Sequence, residues 1–137
     1  MDMSGIIWYE VLAAALSGFV LGGVWYGPLF GKRWQGLVGL SDERIAEANM
    51  LLIFGATFCL NLFMAAMLSL FLMVGQKSGA GVVAGASFGL LVGLAFVVPT
   101  FAINYLFARQ PVSLFGIDAG YMCLQLAVMG AIIGTSF

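Results

Sequence analysis

The chain reads as long apolar stretches separated by short polar interruptions. The stretches run from about Ile6 to Tyr26, Met50 to Val74, Gly79 to Phe107 and Phe115 to Thr135. At roughly 1.5 Å per helical residue, each is long enough to cross about 30 Å of hydrocarbon. The runs are continuous rather than alternating, which argues against strands and a barrel. The pattern therefore predicts an all-α fold, a polytopic membrane protein with four transmembrane helices in one compact bundle over residues 1–137.

The interruptions carry their own signals. Gly75-Gln76-Lys77-Ser78 predicts a tight turn that makes spans two and three an antiparallel hairpin. Residues 27–49 form the one substantial loop. It opens with Pro28 and mixes Leu29, Phe30 and Trp34 with Lys32 and Arg33, as suits an amphipathic segment at the lipid headgroups. Ser41 followed by Asp42 and Glu43 reads as an N-cap with acidic residues on the positive end of a helix. On that reading the second helix starts near Asp42 and extends outside the membrane before it enters.

The helix faces predict packing. Gly81, Gly85, Gly89 and Gly93 repeat at spacing four, a stripe that lets another backbone approach closely. Helix one carries a shorter version in Ala14, Gly18 and Gly22, so these two stripes are expected to meet; a subunit interface is the alternative. In helix four, Gly116, Gly120, Cys123, Ala127, Gly130 and Gly134 share one side, and Asp118, Tyr121, Gln125 and Met129 the other. Neither face suits lipid. That predicts a second protein neighbour and hence a homo-oligomer.

Composition narrows the class. With 63% hydrophobic and 8% charged residues, the chain has too few charges to cover a soluble core, so its solvent is the lipid bilayer. No basic run points to nucleic acid. There is no His, which removes the commonest metal ligand and general base; no metal or cofactor is expected. Cys59 and Cys123 lie in apolar runs and read as small buried hydrophobes. No Lys or Arg precedes the first run, so a cleaved secretory signal is not expected. Lys32, Arg33, Arg44 and Arg109 fall on one side and Lys77 on the other, which places both termini outside the cytoplasm.

Polar residues at membrane depth are the candidate chemistry. Asn61 and Gln125 fall at similar mid-bilayer depth, and Asn104 and Asp118 near the cytoplasmic mouth; Glu10 sits at the opposite mouth. Such groups either bond between helices or line a solute or ion site. Pro99 should kink the third span and free carbonyls a turn before Asn104. Arg109, Lys32 and Arg33 are the cations expected to neutralise Asp118.

The segment Trp25-Tyr26-Gly27-Pro28-Leu29-Phe30-Gly31-Lys32-Arg33-Trp34 resembles the opening motif of a bacterial membrane family, domain of unknown function 1761. So do Asn49-Met50 before Phe54-Gly55, Asn104 with Phe107, Arg109 and Pro111, and Leu114-Phe115-Gly116-Ile117-Asp118-Ala119-Gly120-Tyr121. The terminal Met129-Gly130 is similar too. The resemblance implies a compact four-span protein of the bacterial inner membrane and supplies no substrate. Its pattern admits Asn at the position of Asp118, which implies hydrogen bonding there rather than an obligatory proton carrier.

Three functions compete. One is a non-enzymatic transport or solute-binding protein, with Asn104, Asp118, Tyr121, Gln125 and Asn61 meeting a small solute or ion. Trp25, Tyr26 and Lys32 would then frame its mouth. The second is an accessory subunit whose glycine faces dock a partner membrane protein. The third, a lipid-acting enzyme, finds no Ser or Cys paired with a base and no clustered carboxylates.

Overall fold

The computed structural model describes residues 6–75 and 81–136, and every regular element in them is helical. Helix α1 (Trp8–Val24) runs into one wider turn, Trp25–Leu29, where Phe30 N–H reaches back five residues to Trp25 O at 2.9 Å. Pro28, with no N–H, and Gly27, with φ −102° and ψ −105°, bend the chain there. A Cβ on Gly31 would strike the Tyr26 carbonyl oxygen, so the corner needs glycine. Helix α2 (Gly31–Val38) then turns away and ends at Gly39, left-handed at φ 68°, with Leu40 N–H on Gln35 O.

Ser41 does cap a helix, its hydroxyl accepting from Arg44 N–H at 3.3 Å, but α3 covers only Asp42–Ala46. The second membrane helix does not extend back to Asp42, and its span starts at Met50 as the apolar run predicts. The chain breaks at residues 47–49, and α4 (Met50–Gly75) begins afresh under a second cap, with Asn49 Oδ1 accepting from Leu52 N–H at 3.1 Å. The predicted turn beyond Gly75, with Lys77 and Gly79, lies outside the described residues.

The third span is α5 (Gly81–Val92), a wider turn at Gly93–Val97, and α6 (Val98–Phe107). Pro99 follows that turn, and Thr100 Oγ1 donates to the Phe96 carbonyl at 2.6 Å on the exposed side. Arg109, at φ 52°, closes α6, with Gln110 N–H on Tyr105 O. Helix α7 (Val112–Ile133) ends in a tight turn at Gly134–Ser136.

Four helical segments meet the length and hydropathy of a span, and the last occupies the centre: 50% of its apolar stretch is buried, against 17% to 22% for the others. The α5 stripe packs on α7, not on α1. Cβ atoms built on Gly85 and Gly89 would collide with the backbone of Gly130 and Leu126, and one on Gly93 would press on Cys123. Gly134 lies the same way against Gly81 and Gly85. Bare backbones touch here because lipid supplies no hydrophobic drive, leaving close van der Waals packing to hold the helices. The other side of α7 packs on α1 and α4, with Val11, Ala14, Ala15, Ala65, Leu68, Leu72, Met129 and Ile133 in the core. The two non-lipid faces of α7 thus have neighbours within one chain, and the inference from them to a second subunit loses its premise. Gly116 meets nothing within 4 Å, and Gly120 faces the Trp25 ring. Cys59 is exposed on α4, whereas Cys123 is buried.

Candidate functional site

The corner after α1 aims two aromatic side chains at the start of α7. Trp25 Nε1 donates to the Ile117 carbonyl at 3.0 Å, and Tyr26 Oη donates to Asp118 Oδ1 at 2.7 Å. From α6, Tyr105 Oη donates to the second oxygen, Oδ2, at 2.5 Å. Asp118 is 8% exposed, and both of its carboxyl oxygens accept from phenol hydroxyls. The expected cations do not supply these bonds: Lys32, Arg33 and Arg109 are exposed. Trp34 packs edge-on against Tyr26 at 5.4 Å, and Tyr26 against Tyr121 at 5.0 Å, fixing the rings.

One step further into the bundle, Tyr121 Oη donates to the Gly18 carbonyl at 2.9 Å. Gln125 Nε2 then donates to Asn61 Oδ1 at 2.8 Å, while the Asn61 amide reaches Ala15 O only at 3.5 Å. Gly18 makes room for this pair, since a Cβ there would sit 2.6 Å and 2.7 Å from the two amide nitrogens. The α1 glycines therefore admit polar side chains rather than another backbone. Asp118, Tyr121 and Gln125 form a polar seam on α7 as expected, and Asn61 joins it. Asn104 does not. It is exposed beside Val38, Gln110 and Leu114, and its neighbour Tyr105 reaches the carboxylate in its place.

The seam stops halfway. From Gln125 to Thr135 is about 15 Å along α7, and that length is packed with Met129, Ile133, Val11 and Ala14, all fully buried. Beyond it Glu10, 5% exposed, accepts hydroxyl bonds from Thr135 at 2.8 Å and from Ser136. The polar seam and Glu10 are thus separate.

Beside the seam lies a cleft of about 500 Å³ between α1 and the first half of α4. One wall is Gly18, Gly22, Gly23 and Gly27; the other is Ile53, Phe54 and Thr57; Asn61, Tyr121 and Tyr26 supply its polar surface. Leu51 to Thr57 are all exposed, so α4 stands away from α1 along this half, touching it through Phe19 against Phe54 and Phe58 at 6.2 Å. Sequence reading missed Tyr105 and the cleft. A signal for the amide pair was present: Cys59-Leu60-Asn61-Leu62 and Cys123-Leu124-Gln125-Leu126 put an amide at the same place in two helices.

Together these features define a multi-pass α-helical membrane protein with an internal polar seam on its most buried helix. The chain belongs to the family described as protein of unknown function (DUF1761), which matches residues 5–134. No curated protein and no solved structure matches it.

Proposed function

We propose that the chain is a non-enzymatic small-molecule binding protein of the membrane interior, serving uptake or carriage, with the α1–α4 cleft as its site. The observation that carries this reading is the cleft itself: about 500 Å³ of space at membrane depth, ending on Asn61 and Tyr121. That volume is typical of ligand pockets, as is an apolar wall with a few convergent polar groups. Both oxygens of Asp118 are held by tyrosines, which suits a residue that shapes the mouth rather than one that performs chemistry. The tight apolar packing of Val11, Ala14, Met129 and Ile133 argues for binding from one side over a continuous pore through a single chain.

The end bearing Lys32, Arg33, Arg44 and Arg109 is the cytoplasmic one in this reading, within the bacterial inner membrane. Association into oligomers would use the exposed apolar faces of α4 and α5 rather than α7. The test is labelling of Thr57→Cys by a small uncharged maleimide, in a chain with Cys59→Ala and Cys123→Ala. Leu60→Cys, on the lipid face, serves as control. Gly23→Leu, whose side chain meets open space, should fill the cleft and slow labelling at position 57 at least fivefold without touching position 60. Equal rates with and without the leucine would sink the binding reading and leave the accessory-subunit role.

A further inference from the structure

The hydrogen-bond balance of the cleft selects its ligand. Three hydroxyl groups border it, and each has already given its proton to the protein: Thr57 to Ile53 O at 2.7 Å, Tyr121 to Gly18 O at 2.9 Å, and Tyr26 to Asp118 Oδ1 at 2.7 Å. A hydroxyl has one proton and two lone pairs, so these groups face the cleft as acceptors. The loosely held donor is the Asn61 amide, whose bond to Ala15 O is stretched to 3.5 Å. The cleft thus asks for a head group that donates first and accepts second. A neutral alcohol does both; a ketone or ester offers no donor. An ionised carboxylate offers none either.

The walls select the rest of the molecule. The glycine side presents flat backbone, the α4 side Ile53 and Phe54, and the gap between them opens sideways at membrane depth where Leu51 to Thr57 stand exposed. Water-soluble molecules would have no through-route, because the outer half of the bundle is packed with Val11, Met129 and Ile133. Resting on the binding reading above, we infer that the α1–α4 cleft takes a neutral, lipid-dissolved amphipath. Its apolar tail lies between the glycine wall and Phe54, and its hydroxyl-type head sits on Asn61, Thr57 and Tyr121.

The experiment is photolabelling of the full chain in lipid nanodiscs by a long-chain alcohol carrying a diazirine in its tail, with labelled positions read by mass spectrometry. Excess unlabelled long-chain alcohol should reduce labelling of residues 53–57 at least fivefold, while labelling at exposed Phe96 and Leu106 falls little. The fatty acid and the methyl ester of the same length should compete at least tenfold more weakly. Gly23→Leu should remove the saturable fraction, and Thr57→Val should weaken competition. Equal competition by acid, ester and alcohol would overturn the head-group assignment. Saturable labelling by a short, water-soluble diazirine alcohol and not by the long one would overturn the lipid source, with small-molecule binding intact. No saturable labelling by either, while Gly23→Leu still protects Thr57→Cys, would overturn the ligand class alone.

Discussion

Asp118 offers the sharpest test of the site, because its environment is unusual and countable. Each phenol bond to a carboxylate contributes on the order of 1.5–3 kcal/mol when both partners are in place. In Asp118→Asn the carbonyl still accepts from one tyrosine, while the other turns to accept from the new amide. Two charge-assisted bonds become two neutral ones of about 1 kcal/mol each, and removing the charge from the membrane offsets part of the loss. The expected net cost is about 1–2 kcal/mol. Asp118→Leu leaves the Tyr26 hydroxyl unpaired in a half-buried place, and the penalty rises to about 2–4 kcal/mol. The assay is reversible unfolding in mixed micelles, run as a double-mutant cycle of Tyr26→Phe with Asp118→Asn. Coupling of about 1–2 kcal/mol is expected, because each single change breaks the same bond. Additivity within about 0.5 kcal/mol would show that the two residues do not interact and would refute the pairing. A Leu variant as stable as wild type would make Asp118 a solvated mouth residue.

Two further outcomes follow from packing and charge. Gly89→Leu should lower the unfolding midpoint strongly and cost about 3 kcal/mol or more, since α5 must leave α7 and a gap of under 1 Å already forfeits a quarter to a half of each contact. Leu91→Ala, on an exposed face, should change it by less than about 1 kcal/mol. Equal midpoints for the two variants would remove the argument from backbone contact. A reporter that fluoresces only in the cytoplasm, fused after Phe137, should stay dark; a bright signal would invert the orientation.

Much of the architecture was legible from local pattern alone. The spans, their helical nature, the Ser41 cap and the smallness of the α5 and α7 stripes follow from run length, residue size and neighbours a few positions apart. Each is a property of one segment in lipid. The amide pair was half visible, since depth along a helix is countable and Asn61 and Gln125 fall at one level. Pairing of faces was not. Which stripe meets which depends on the rotation and order of helices, and a glycine stripe specifies close approach without naming the partner. The Gly93–Val97 turn also adds a residue to its helical turn, shifting the phase of everything beyond it by about 100°. A count at constant period therefore loses its register there, and in the structure Tyr105, one position beyond Asn104, reaches Asp118. Tertiary structure likewise decided that α7 takes the centre, where its small face meets glycine and its polar face meets hydroxyls and amides. Either face against lipid would forgo close packing or strand polar groups in hydrocarbon. Those costs could be removed only by neighbours on both sides.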